Sequence, residues 1–292
     1  VGEYSISSVG PGSRSQQHWE WAKQAGLKTV AKVQFNNTWE LSAVPWLPVS
    51  NLIAQHASNL ARAGVNGLML SWSLGGYPSP NLEIAQAFSK NPDATVDEVL
   101  TELAKRRYGP EASSYALQAW SEFSKAFSEF PYHINTVYTA PLQYGPSNLL
   151  YATPTGYKAT MVGYAYDDLN AWRSIYPPDI FIQQLKKVAD GWQKGLQAFK
   201  QVVAHTKDEQ NSTAENDMNI AKAAWLHFAS VANQCRFVVC RDSLLQSAND
   251  PEAVIRLQKE LQNILDNEIQ LAGSLFQISS RDSRIGFEAS NQ

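Results

Sequence analysis

Apolar and polar positions change period twice along the chain. Over residues 1–92 short apolar runs alternate with helix-like stripes. Tyr4 to Val9 reads as a strand and Gly10-Pro11-Gly12 breaks it. Ser15 to Ala25 reads as a helix stopped by Gly26. Lys28 to Phe35 is a second strand. Pro48 to Ala63 carries Leu52, Ile53, His56, Leu60 and Ala63 on one helical stripe. Val65 to Trp72 is a third strand, followed by a Gly- and Pro-rich loop to Pro80. Strand and helix alternating through short connections is the pattern of parallel βαβ units.

After residue 92 the pattern turns helical. Thr95-Val96-Asp97-Glu98 is a capping box opening a helix that Gly109-Pro110 stops. Glu111 to Phe130 puts Tyr115, Ala119, Trp120, Phe123 and Phe127 on one face. Residues 131–177 are rich in Tyr, Pro and Gly and show little periodicity; a segment this long is usually functional or packs on another unit. Three long helices follow, Pro178–Ala204, Ala214–Ser247 and Pro251–Ser279, with Thr206–Thr213 as the first turn between them. The expected fold class is α/β then all-α: a partial (β/α) barrel made of its last three strands over residues 1–92, then a helical bundle domain over 93–292. A closed barrel needs eight strands. Its upstream half is therefore an expected partner. Val1 is not a starting Met and leads straight into strand-like sequence, which reads as a chain cut from a longer precursor.

Composition narrows the classes. With 44% hydrophobic and 17% charged residues the chain is globular rather than disordered. A net charge of -3 gives no electrostatic argument for nucleic acid, and no apolar run approaches a membrane span. Cys235 and Cys240 share one predicted helix and point apart around its axis, so no disulfide is expected between them. Two free thiols lean towards a reducing, cytoplasmic location. No metal site is expected, because no Cys or His pair stands at ligand spacing, and no cofactor motif is present. His56 falls on an apolar helix face and reads as a core histidine. Nine Trp and twelve Tyr supply the flat rings that stack on pyranose faces, although large helical cores use them too.

Candidate chemistry gathers after the second strand. Thr29, Ala31, Val33 and Phe35 share one face; Lys32, Gln34 and Asn36 share the other with Val30. A buried strand of an α/β protein is expected to be apolar on both faces. The polar face leads to Asn36-Asn37-Thr38-Trp39-Glu40. A carboxylate beside Trp and two Asn suits one of the two carboxyl roles of a glycosidase, and Glu40 is the catalytic candidate; the bland alternative is a surface Glu beginning a turn. Lys32, Gln34, Asn36 and Asn81 are candidates for sugar hydroxyls or an acidic sugar group, and Trp39, Trp72 and Tyr77 for stacking. Glu83 joins the substrate-contacting candidates, although its place in a first helical turn also suits the helix dipole.

The runs VAKVQFNNTWELSAVPWLPV (30–49) and GLMLSWSLGGYPSPNLE (67–83) resemble the terminal barrel strands of bacterial glycoside-hydrolase-like proteins. Arg106-Arg107-Tyr108-Gly109, Ala119-Trp120 and Phe127–Pro131 are similar to the helical region behind the barrel in α-glucuronidase-like, hexosaminidase-like and α-N-acetylglucosaminidase-like enzymes. The resemblance implies hydrolysis of a glycosidic bond without cofactor. It places Glu40 at the end of the seventh strand as nucleophile or base. The acid/base would lie on a fourth strand that this chain lacks, so the fragment alone is expected to be inactive. Two other classes stay open: a non-catalytic carbohydrate-binding protein, and a helical scaffold or interaction module.

Overall fold

The computed structural model describes residues 5–71, 77–161 and 163–286. It is 64% helical. The βαβ part is small: β1 (Val30–Lys32) pairs in parallel with β2 (Gly67–Met69), Ala31 opposite Leu68. Helix α1 (Ser13–Gln24) precedes β1, and α2 (Ser50–Arg62) makes the crossover. Then come α3 (Pro80–Lys90), α4 (Val96–Tyr108) and α5 (Pro110–Phe127). Among the described residues of 131–177 there are two short helices, α6 (Ile134–Thr139) and α7 (Leu169–Arg173), and one 3-10 turn. The bundle ends with α8 (Pro178–His205), α9 (Asp208–Gln246) and α10 (Pro251–Ser279).

The expected partial barrel is not present among the described residues; the chain is mostly all-α. Ser5 to Val9 forms no strand, and Tyr4 lies outside the described residues. The physical reason is a competitor for its backbone amides. Ile6 and Ser7 donate theirs to the Glu40 carboxylate instead of to a neighbouring strand. The second strand ends at Lys32, because beyond it polar side chains and turns take up the backbone groups that a ladder would use. Two backbone bonds prolong the pairing a little, from the Val33 amide to the Met69 carbonyl and from the Asn36 amide to the Leu70 carbonyl.

Helix starts were readable. Thr95 Oγ1 accepts from the Glu98 amide while Glu98 accepts from the Thr95 amide, closing the box. Gly109, at φ 83, lets α4 turn into α5, which starts on Pro110. The turn expected over 206–213 is shorter than read: α9 begins at Asp208. Polarity there marks a solvated first turn, and no Gly or Pro forbids helix.

One hydrophobic core runs from Ile6 to Ile285, through Ile53 and Phe88 into Phe123, Trp192 and Phe228. Helix α5 packs closely on α8. A Cβ added at Gly195 would stand 2.3 Å from the Phe123 ring, and one at Gly191 2.8 Å from Ala126 Cβ. Small residues one turn apart let the two backbones close and the Phe123 ring meet Trp192 at 4.8 Å. Gly195→Ala overpacks this seam. We expect a loss of about 1–3 kcal/mol in unfolding free energy by urea titration; an unchanged midpoint would show that Phe123 has room to give way.

Candidate functional site

Residues 34–47 form an irregular loop that is almost wholly buried. Buried backbone polar groups need partners, and here side chains from distant parts of the chain provide them. Asn81, in the first turn of α3, donates from Nδ2 to the Phe35 carbonyl at 2.8 Å and the Leu47 carbonyl at 2.9 Å. Gln143 accepts from the Ser42 amide at 2.6 Å and donates to the Trp39 carbonyl at 2.8 Å. Asn37 spans the loop to the Val44 carbonyl at 2.9 Å. Ser79 donates to Asn36 Oδ1 and caps α3 by accepting from the Leu82 amide. Gln34 Oε1 accepts from the Trp39 amide at 2.7 Å.

Glu40 sits at the centre with 0% exposure. Its oxygens accept from Ser7 Oγ at 2.6 Å, the Ile6 amide at 2.6 Å, Ser5 Oγ at 3.1 Å, Thr38 Oγ1 at 3.3 Å and the Ser7 amide at 3.4 Å. Each of these partners is a hydroxyl or an amide. Burial pushes the carboxyl from its ordinary 4.5 up to about 7, against the pull of the donors on Ile6, Ser7 and Ser5. Such a group changes protonation near neutral pH, as an acid/base catalyst does. It is also sealed: the Ser5–Ser7 segment lies over it.

The structure brings some of the sequence candidates together and scatters others. Gln34, Asn36, Asn81 and Glu40 share one buried network region, with Trp39 half-buried and edge-on to Tyr138 at 5.8 Å. The amide groups of Gln34, Asn36 and Asn81 are used largely in holding the loop. Gln34 Nε2 and Asn81 Oδ1 have no hydrogen-bond partner among the described residues. Lys32 is partly exposed at the end of β1, and Tyr77 is 77% exposed. Trp72 lies outside the described residues. Glu83 is engaged elsewhere: Arg106 and Arg107 bond its two oxygens at 2.7 and 2.6 Å, and Arg107 passes on to Asp217 of α9 at 2.7 Å. That ion network ties α3, α4 and α9 together.

Sequence reading missed Ser5, Ser7, Thr38 and Gln143. Gln143 stands about a hundred residues from the loop it holds, and no local period marks it. It also missed the way tyrosines gather. Residues 131–177 fold so that Tyr144, Tyr151, Tyr157, Tyr164 and Tyr166 cluster, with Tyr157 5.1 Å and Tyr164 5.8 Å from Tyr166, and Tyr157 and Tyr164 exposed. Asp167 anchors the segment through Arg241 of α9 at 2.6 Å.

His56, His227 and both cysteines are buried in the core. His56 packs edge-on to Phe35 at 5.1 Å, and burial lowers its pKa to about 4. His227 lies against the Leu142 carbonyl, and burial lowers it to about 4 as well. Cys235 and Cys240 are free and buried, and burial raises both thiols, that of Cys240 to about 11. Among the described residues no helix is long and apolar enough to cross a membrane, and no three His, Cys, Asp or Glu gather as metal ligands.

No family model, no curated protein and no solved structure matches the chain. The resemblance of residues 30–49 and 67–83 to glycosidase barrel ends therefore rests on those residues alone, and the fold does not supply the barrel.

Glu40 has a stability signature with a definite sign. Its folded pKa is raised, so folding retains a proton that the unfolded chain releases. Its contribution is full below about pH 4.5 and falls by about 3 kcal/mol as pH rises through 7. His56 and His227 act in the opposite sense: depressed in the fold, they contribute stability above pH 6.5 that is lost as pH falls towards 4. The wild type must therefore be compared with Glu40→Gln, which keeps both histidines. Urea titrations from pH 4 to 8 should show the wild-type advantage shrinking as pH rises from 4.5 to 7.5. A pH-independent difference would mean that Glu40 titrates as an ordinary carboxyl.

Proposed function

We propose that this chain handles carbohydrate, with Glu40 as the proton-transferring carboxyl of glycosidic-bond hydrolysis. The observation that carries this is a fully buried carboxyl whose desolvation raises its pKa to about 7 against the pull of its hydroxyl and amide donors, at the end of a polar run leaving a parallel strand. At a pKa of about 7 the protonated form can donate to a leaving glycosidic oxygen, and the ionised form can then accept a proton from water. This favours an acid/base role over that of nucleophile, which needs a carboxylate ionised throughout. Hydrolysis also requires a second carboxyl on the other face of the bond, and none is among the groups that hold Glu40. It further requires the Ser5–Ser7 segment to lift, because Glu40 is sealed beneath it.

A second reading is a protein that binds saccharide without cleaving it. The tyrosine cluster at 144–166 favours it, since exposed phenol rings offer stacking faces that need no deep cleft. Turnover separates the two. Aryl glycosides should be hydrolysed by the protein in its full natural chain, and Glu40→Gln should lower kcat about 10²–10⁴-fold. Wild-type turnover that Glu40→Gln leaves intact would remove Glu40 from the chemistry. Saccharide binding with no turnover in either protein would select the binding reading. Neither binding nor turnover would overturn both.

A further inference from the structure

Helices α8 and α9 pack side by side along one flank of the bundle. A groove of about 630 Å³ runs between the two helices, within the range of small-molecule sites. Its floor is apolar: Leu196 and Val203 from α8, Met218 and Trp225 from α9, each partly buried and packed against the core. Its rim is polar. Gln193 and Gln197 rise from α8 and Asn219 from α9. None of these three amides has a hydrogen bond within the described chain. Lys200 and Lys222 face the groove from its two sides. Neither takes part in any ion pair of the described residues, whereas Lys186, Lys187 and Lys207 do. No acidic side chain lines the groove, in a chain whose net charge is -3.

We propose that this groove is a binding site for an acidic saccharide, a short oligosaccharide bearing carboxylate or sulfate groups. The indole of Trp225 offers an apolar face for the C–H side of a pyranose. The free amides can both donate to and accept from hydroxyls. The two ammonium groups, with no carboxylate of their own, match the anionic substituents. A neutral sugar would leave both lysines unused, and an acidic peptide would need neither the indole nor three amides beside it. The site deepens the carbohydrate reading by naming the charge of the saccharide. It lies on the helical bundle and uses nothing of Glu40.

Isothermal titration with trigalacturonate, a sulfated disaccharide and maltotriose tests this. One of the two anionic probes should bind saturably, at least tenfold more tightly than maltotriose, and added salt should weaken it. Whichever of the two binds identifies the anionic group. The double variant Lys200→Glu/Lys222→Glu alters two exposed side chains, so it should melt with the wild type yet bind at least tenfold more weakly. Trp225→Ala should also lose at least tenfold, and Trp225→Phe, which keeps a ring in the floor, should bind between the two. The proposal is overturned by no saturable binding of either anionic probe, by equal binding of maltotriose, by wild-type affinity in the lysine double variant, or by polyglutamate binding as tightly as the saccharides. The titration reads binding alone, so its outcome is independent of turnover at Glu40.

Discussion

The structure turns on burying a loop. Residues 34–47 leave β1 without regular structure and pass into the interior, where each buried polar group, of backbone or side chain, must find a partner or lose about 1–3 kcal/mol. The partners come from four separate places. Ser5–Ser7 approach from the N-terminal side, and Ser79 and Asn81 stand at the start of α3. Gln143 comes from the segment after α6, and the Gly286 amide bonds to the Ala43 carbonyl at 2.7 Å. Segments almost three hundred residues apart are held together by one set of polar contacts. The same contacts isolate Glu40 from water, and that isolation raises its pKa. Stability and candidate chemistry thus have one origin here.

The helices give this loop its rigid surroundings. Phe123 and Phe127 of α5 meet Trp192 of α8 and Phe228 of α9, with Trp192 5.1 Å from Phe228 and Phe127 5.8 Å from it. The buried Trp192 indole N–H is satisfied by the Ala221 carbonyl at 2.9 Å. Rings of this size bury much apolar area and hold preferred edge and tilted geometries, so the three helices lock in register. Once locked, they present two different outer faces. The side towards residues 131–177 is covered and anchored by Arg241 and Asp167. Between α8 and α9 the groove floored by Trp225 stays open.

Much of the helical half was legible because its signals are local. The Thr95–Glu98 box, Gly109-Pro110 and Pro251 each act within a few residues, and the structure places helix boundaries at or near them. The stripe on α5 named the residues that pack, and His56 fell where its apolar neighbours put it. The barrel expectation failed for a long-range reason. Whether 5–9 and 28–35 become full strands depends on what their amides can pair with, and period-two alternation does not record that. Glu40 drew the amides of Ile6 and Ser7, and Asn81 and Gln34 took up groups after Lys32. Of the polar residues read as facing a sugar, Gln34, Asn36 and Asn81 spend their hydrogen bonds largely on the chain itself.

The sequence by itself determined the long helical segments, the apolar stripes of α2 and α5 and the concentration of polar groups from Lys32 to Glu40, because propensity, caps and periodicity act over one or two turns. Tertiary structure alone decided the protonation behaviour of Glu40, the diversion of Glu83 into the Arg106–Arg107–Asp217 network, and the meeting of Lys200, Lys222 and Trp225 across two helices. Desolvation and ion pairing depend on which atoms surround a group in space, and those atoms come from parts of the chain that no local pattern relates.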